Sequence, residues 1–328
     1  MFPDHFTNVK KNVKVIEKEK ADDPMPSPRN KTLHIRPEDA PELVPLCAVP
    51  EGPLNAGTVE NRVFCGDFFD LAPRMEEGLF DLVIADPPYN LTKDFGGESF
   101  RKTDPDSYEA FTERWVTAVK RLMKPGATLY VCCDWESSLT VGNVLLRHFD
   151  VRSRITWQRE KGRGAKRNWK NSMEDIWFCT LGDGYQFHLD AVKLRKKVVA
   201  PYRENGEAKD WQETEDGRYR LTCPSNFWDD LTVPFWSMAE NTAHPTQKPE
   251  KLIARLLLAS SSEGDLVFDP FGGSGTTAAV AEKLGRRYTV VEKNLQYCVW
   301  ALERLRRAET DKTVQGMKDG VFLPRNEY

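Results

Sequence analysis

Leu266-Val267-Phe268-Asp269-Pro270-Phe271-Gly272-Gly273-Ser274-Gly275-Thr276-Thr277 passes from an apolar run through a glycine turn into an alanine-rich stretch. That order reads as strand, turn and helix, the context in which a glycine loop gains meaning. Glycines let the backbone approach a ligand where a Cβ would collide, and the N–H groups opening the helix attract an anion. No Lys or Arg lies within the loop, so a triphosphate fits it poorly and a carboxylate, such as that of a methionine moiety, fits better. Glu292 ends the next expected strand, nineteen residues after Gly273, where an acid can accept hydrogen bonds from ribose hydroxyls. A tight turn that merely packs helix on strand, or a dinucleotide site, would use the same residues.

Outward from this turn the chain alternates. Before it lies a helix over Pro249–Ser260; after it come helix Thr277–Leu284, strand Tyr288–Val291 and a last helix over Leu295–Arg307. The same rhythm appears earlier. Strand Arg62–Cys65 precedes a short helix over Phe68–Met75, and the buried-type strand Phe80–Ala85 delivers Asp86 at its carboxyl end. A helix over Ser107–Met123, with Phe111, Trp115, Val119 and Leu122 on one stripe, is stopped by Lys124-Pro125-Gly126. Strand Ala127–Cys133, helix Leu139–Phe149 and strand Ser153–Trp157 follow. Apolar strands alternating with helices predict an α/β fold: a Rossmann-like, mostly parallel seven-stranded sheet with helices on both faces. Residues 1–58, rich in Pro and charge, read as an extension that wraps or dangles. The rhythm breaks over 158–241, a tryptophan-rich insertion between a catalytic half at 59–157 and a cofactor half at 242–310, with a tail over 311–328.

Asp86-Pro87-Pro88-Tyr89 is the second informative string. An exocyclic amine on a base is a poor nucleophile because its lone pair is delocalised into the ring. Asp86 and the carbonyl of Pro87 can accept the two amino hydrogens and favour a pyramidal nitrogen. Successive prolines stiffen the turn and offer carbonyls without N–H groups. Tyr89 supplies a face on which a planar base can stack, worth roughly 1–3 kcal/mol. The alternative is a strand-ending turn with a buried tyrosine.

The net charge of −3 excludes a chain that binds nucleic acid by its average charge. Locally, Arg159, Lys161, Arg163, Lys166, Arg167 and Lys170 gather with Trp157 and Trp169, which suits phosphates and stacking, or else a solvated loop. Seven cysteines, an odd number without a C-x-x-C pair, argue against a disulfide framework and against a structural zinc site, so reduced thiols and no metal are expected. No apolar stretch has the length of a membrane span and the first residues lack a signal-peptide core, so a soluble cytoplasmic protein is expected.

Asp86 to Tyr89 and Phe271 to Gly275 resemble the D/N/S-P-P-Y/F and F-x-G-x-G motifs of amino-methylating DNA methyltransferases. With the catalytic motif first, a variable region next and the cofactor motif last, the chain resembles the permuted beta group of bacterial restriction-modification systems. His244-Pro245-Thr246-Gln247-Lys248-Pro249 matches that group's H-P-T-Q-K-P motif, and Pro224-Ser225-Asn226-Phe227-Trp228 is similar to the segment placed shortly before it. The resemblance covers about residues 60–307. It implies S-adenosyl-L-methionine as cofactor, held by Asp67, Asp86, His244, Thr246, Lys248, Asp269, Phe271, Gly273, Ser274, Gly275, Thr276 and Glu292. It implies Asp86, Pro87, Pro88 and Tyr89 as catalytic residues acting on a flipped base in double-stranded DNA. It also implies contacts to DNA from Arg159, Lys161, Arg163, Lys166, Arg167 and Trp169. The leading Asp86 favours adenine N6 over cytosine N4. A homodimer and a separately acting restriction endonuclease are the further partners it suggests. One departure stands out: where many relatives carry an N-x-H-E-like segment, this chain has Asn171-Ser172-Met173-Glu174, leaving Trp169 or Trp177 to oppose Tyr89 across the base. RNA or protein amide methylation, a non-catalytic DNA-binding subunit and a dehydrogenase are the competing readings. The motif order, the intact strings and the otherwise unexplained Asp86–Tyr89 turn argue against each in turn.

Overall fold

The computed structural model describes residues 29–95, 98–159, 167–199, 203–204, 207–208, 210–214 and 217–325. From residue 29 the extension wraps. Leu33 forms a parallel bridge with Thr242, and Arg74 reaches back to the carbonyls of Pro50 and Gly52. A one-turn helix, α1 (Ala56–Val59), leads into strand β1 (Arg62–Cys65). Asp67 caps the next short helix, α2 (Phe68–Leu71), by accepting from the N–H of Phe69 at 2.8 Å. Strand β2 (Phe80–Ala85) alternates from Leu82 onward, with Leu82 and Ile84 in one core and Val83 and Ala85 in the other.

After a small hairpin, β3 (Lys93–Phe95) and β4 (Glu98–Phe100), helix α3 (Pro105–Leu122) starts at the Asp104 cap and buries Tyr108, Trp115, Val116, Val119 and Leu122. The helix ends at Leu122, within one residue of the expected end, and strand β5 (Met123–Asp134) begins at once, so Lys124-Pro125-Gly126 lies within the strand instead of a separate turn. The prolyl-glycyl pair is absorbed as an irregularity, Phe80 facing Met123 while Leu82 faces Thr128. Helix α4 (Ser137–His148) and strand β6 (Asp150–Gln158) complete the first half.

The stretch expected as an insertion over 158–241 is narrower than the sequence suggests. Strand β7 (Met173–Thr180) lies inside the main sheet, antiparallel to both β5 and β6. Its reading Met-Glu-Asp-Ile-Trp-Phe-Cys-Thr carries charges at the end that faces the site, which hides it from a search for apolar runs. Beyond it, β8 (Leu194–Lys197), the hairpin β9 (Arg203–Glu204) and β10 (Glu207–Ala208), β11 (Gln212–Thr214) and β12 (Gly217–Thr222) depart from the main sheet, and β13 (Phe227–Trp228) returns to its edge.

Helix α5 (Glu250–Ser260), strand β14 (Leu266–Asp269), helix α6 (Thr276–Lys283), strand β15 (Arg287–Glu292) and helix α7 (Leu295–Thr310) follow as expected. The tail folds back as β16 (Met317–Lys318) and β17 (Val321–Phe322), joining the second sheet in the order β11-β12-β8-β17-β16. The main sheet runs β1-β15-β14-β2-β5-β7-β6-β13, parallel from β1 to β5. Two-residue β13 makes it eight strands where seven were expected. Helices α2, α3 and α4 cover one face and α5, α6 and α7 the other. The carboxyl ends of β1, β2, β14 and β15 therefore open at one rim, where α/β folds hold their ligands.

Candidate active site

At the end of β14, Asp269 organises the glycine turn from inside. One carboxylate oxygen accepts from the N–H of Phe271 at 3.0 Å, and the other from the Thr277 hydroxyl at 2.6 Å. At the end of β15, Glu292 accepts from the N–H groups of Gly273 at 2.8 Å and Asn294 at 2.7 Å. Gly273 takes φ +50°, and a Cβ there would stand 3.0 Å from Nε2 of His244. That ring lies edge-on to Tyr297, with Nδ1 accepting from the N–H of Thr246 at 3.3 Å. Gly275 takes φ +74°, and its Cβ would fall 2.3 Å from Cβ of Ala301 on α7. Gly275 thus serves helix packing, and the cavity lining does not include it. Arg304 ties the turn down from α7, donating to the carbonyl of Ser274 at 3.1 Å and to the Thr276 hydroxyl at 2.9 Å.

The Asp86–Tyr89 turn is braced differently. The Tyr108 hydroxyl donates to the carbonyl of Pro88 at 3.2 Å, and the Ser137 hydroxyl accepts from the N–H of Asn90 at 3.1 Å. Its functional groups hold one another. Tyr89 donates its hydroxyl proton to Asp86 Oδ1 at 2.8 Å, while Lys248 Nζ donates to Asp86 Oδ2 at 2.5 Å and lies 3.1 Å from the Tyr89 oxygen. Glu174 joins from β7, 3.5 Å from Lys248 Nζ and 2.5 Å from an Arg159 guanidinium nitrogen.

Burial raises the Asp86 carboxyl; the Lys248 ammonium opposes that rise and Glu174 reinforces it. Burial alone would lower Lys248, but Asp86 and Glu174 together hold it above its ordinary value, so it stays an ammonium. Tyr89 is pushed well up, by burial first and then by the two carboxylates, and remains a donor. On the other wall burial pushes Asp269 up to about 7 and Glu292 up to about 7, against the hydrogen bonds each accepts.

Both turns face one cavity of about 530 Å³. Asp67, Asp86, Pro87, Pro88, Tyr89, Arg159, His244, Thr246, Lys248, Asp269, Phe271, Gly273, Ser274, Thr276 and Glu292 all line it. Two strings roughly 180 residues apart in sequence thus meet. Arg167 and the 93%-exposed Trp169 lie outside the lining, and Lys161, Arg163 and Lys166 lie outside the described residues. Neither tryptophan expected opposite Tyr89 reaches the cavity. Trp177 instead packs on Gly142 and donates its indole N–H to Ser138 at 3.1 Å. Asn171, Met173 and Glu174 line that side in their place. Glu174 carries no mark of this place in the sequence, since a lone acid in a mismatched segment has neither periodicity nor motif spacing.

A family model described as DNA methylase, for N6 and N4 amino groups, matches residues 80–303. The Type II methyltransferase M.HpaI of Haemophilus parainfluenzae is 32% identical over 250 residues, 75% of this chain and 74% of that protein. The DNA adenine methyltransferase YhdJ of Escherichia coli (strain K12) is 31% identical over 262 residues, covering 77% and 85%. Among solved structures, the PvuII DNA methyltransferase (cytosine-N4-specific) superposes with a TM-score of 0.58 at 17% identity, covering 81% of this chain and 93% of the other. That superposition supports the fold.

Proposed function

The chain belongs to the N6/N4 DNA methylase family, and from that premise we propose that it methylates the N6 amino group of an adenine flipped out of duplex DNA. The observation that carries this reading is the shared cavity. Asp86 and Tyr89 stand on one wall, and the neutral glycine turn with Glu292 stands on the other. S-adenosylmethionine suits those walls, because the turn lacks a cationic side chain and a volume of about 530 Å³ lies in the range of small-ligand sites. Bound there, it supplies an electrophilic methyl on a sulfonium.

Everything else is the work of this chain. Gly273 lets His244 close against the turn, Glu292 and Asp67 offer carboxylates for ribose and adenine, and Phe271 lines the cavity, packed edge-on to Phe68 and Trp115. Asp86 Oδ and the carbonyl of Pro87 accept the hydrogens of the entering amine and draw its lone pair out of the ring. Asp86 need not abstract a proton beforehand, since the nitrogen becomes acidic only once alkylated, and that proton leaves to Asp86 or solvent. In-line positioning inside a water-poor cavity provides most of the acceleration. A base in a helix cannot reach Asp86, so it must be flipped, at a cost of a few kcal/mol offset by stacking on Tyr89.

Target recognition falls to the parts of 158–241 outside β7, with Lys161, Arg163, Lys166, Arg167 and Trp169 as the contacts to DNA, while Arg159 of the same expected set turns inward to Glu174. Support comes from the second sheet, where Lys196 and Arg220 face each other across β8 and β12. Like charges in register are unfavourable in isolation and suit a polyanion. The leading Asp86 and the likeness to a protein named as an adenine methyltransferase favour adenine over cytosine. The motif order supports membership of the permuted beta group. We assign it a cytoplasmic restriction-modification role, with a homodimer and a separate endonuclease as partners; no helix among the described residues is long and apolar enough to cross a membrane.

The test is expression in a host lacking DNA methylation, followed by sequencing of its DNA for modified bases. N6-methyladenine within one recurring sequence is expected. N4-methylcytosine would replace the base assignment. Unmodified DNA from cells holding folded, cofactor-binding protein would overturn the DNA substrate.

A further inference from the structure

Three cysteines that are remote in sequence converge beside the cavity. Cys47 ends the turn at Val44–Cys47 in the N-terminal wrap, Cys65 ends β1, and Cys298 lies in the first turns of α7. Their Sγ atoms all lie within 4.8 Å of one another. Cys47 is 1% exposed and Cys298 fully buried, while Cys65 is half-buried and gives the cluster an opening. The sequence offered no hint, because the usual signal of a thiolate site is close spacing and these residues are spread over some 250 positions.

Each thiol has a carbonyl acceptor. Cys47 Sγ lies 3.1 Å from the oxygen of Val44, Cys298 Sγ 3.3 Å from that of Glu292, and Cys65 Sγ 3.9 Å from that of Lys293. The protonated cluster is therefore neutral and satisfied, so hydrogen bonding accounts for each thiol singly. It does not account for three thiols meeting. Metal–sulfur bonds of about 2.3 Å place the sulfurs of a trigonal or tetrahedral centre about 3.8–4.0 Å apart. Closing the observed triangle onto an ion thus takes shifts of less than about 1 Å. A hard cation would need oxygen ligands at the centre, whereas three sulfurs select a soft one.

We infer that Cys47, Cys65 and Cys298 form a binding site for a thiophilic d10 cation of the zinc class. Binding exchanges the three thiol protons, which leave to solvent, for three metal–sulfur bonds; no sulfur is oxidised. The half-buried side of Cys65 admits a water as fourth ligand. The site joins the wrap, the β1 end and α7, and two of its neighbours in sequence, Gly66 and Tyr297, line the cavity. Neither its existence nor its test depends on the methyl-transfer reading.

The experiment is titration of the full reduced chain with Cd(II), read by thiolate-to-metal charge-transfer absorption, with Zn(II) as competitor. One Cd(II) per chain, displaced by Zn(II), is expected. Cys65→Ser should weaken binding by at least about tenfold, the loss that even an outer partner of a metal ligand commonly causes. Cys223→Ser, an exposed control, should leave it unchanged. X-ray absorption at the cadmium edge should count three sulfur neighbours in the unaltered chain, a readout that stands even if a variant fails to fold. Absence of stoichiometric binding, fewer than three sulfurs, unaltered affinity in folded Cys65→Ser, or a disulfide within the cluster in the freshly reduced chain would each overturn the site.

Discussion

The two walls of the cavity are built on opposite plans. On the cofactor wall, the carboxylates of Asp269 and Glu292 spend their hydrogen bonds on the turn itself, so its shape is fixed by the chain's own backbone. On the catalytic wall, Asp86 accepts from Tyr89 and Lys248, groups that face the same cavity. One wall is a finished cradle. The other holds internal donors on Asp86, so under the proposed function the binding of an amine there would be an exchange of partners, displacing Tyr89 or Lys248 from Asp86. Such an exchange spares a buried carboxylate from being left without a partner, which would cost about 1–3 kcal/mol or more for a charge.

Removing the acceptor breaks the catalytic wall alone, and gives the largest effect. Asp86→Ala should lower methyl transfer by at least about 10²-fold, the scale of a positioned acid–base group. Cofactor affinity, measured by calorimetry, should remain in a measurable range, because the cradle keeps its own bonds. Undiminished turnover would remove the acceptor role. A total loss of cofactor binding would show that the walls are one structure.

Gly275→Ala attacks the opposite wall. The new Cβ meets Ala301 at 2.3 Å in a left-handed backbone conformation. Overpacking costs about 1–3 kcal/mol and the left-handed conformation about 1–2 more. Denaturant unfolding should show that combined loss. Wild-type stability would mean that α7 moves freely off the turn and that the cradle is not rigid.

A pH series sharpens the contrast further. Glu292 titrates near 7 in the folded chain against an ordinary value of 4.5, so the native state holds this proton more tightly than the unfolded one. Its contribution is complete below about pH 4.5 and is lost as the pH rises through about 7. Asp269, also near 7, acts in the same direction, as does Glu240, pushed to about 8 by burial and by Glu250. Between about pH 6 and 8, Glu292 alone accounts for about 1 kcal/mol. Thermal unfolding of the cofactor-free protein should show stability falling over that interval. Glu292→Gln should flatten the fall; an unchanged slope would place the proton elsewhere.

These contrasts mark what could be read from sequence and what could not. The strands around the cavity are legible because they are short and apolar and end in turn residues: Phe80–Ala85 matches the observed strand to the residue, and the apolar run from Leu266 holds β14. Both turns were legible as motifs. The links between them were not, since Lys248 reaches Asp86 across 162 positions and no local pattern encodes that distance. Strand β7 was missed because Glu174 and Asp175 interrupt its apolar run. Those two acids are buried, Glu174 by Lys248 and Arg159, and Asp175 by the hydroxyls of Ser138 and Thr156. The polar residues that obscured the strand are the ones that equip it for the site.

Arg159 and Arg167, eight positions apart in the sequence's basic cluster, extend the comparison to the rim. Arg159 is committed inward to Glu174, whereas Arg167 stands exposed beyond the cavity lining. If Arg167 meets a phosphate, Arg167→Ala should weaken binding to all duplex sequences alike and reduce the slope of log affinity against log salt by about 0.9, the value of one neutralised phosphate. Arg159→Ala should instead leave that slope nearly unchanged and act on turnover, by releasing Glu174 toward Lys248. Fluorescence anisotropy with labelled duplexes over a salt series measures both. Equal slopes for the unaltered protein and Arg167→Ala, or a full unit lost in Arg159→Ala, would reverse the two assignments and place the phosphate contact at the mouth of the cavity rather than outside it.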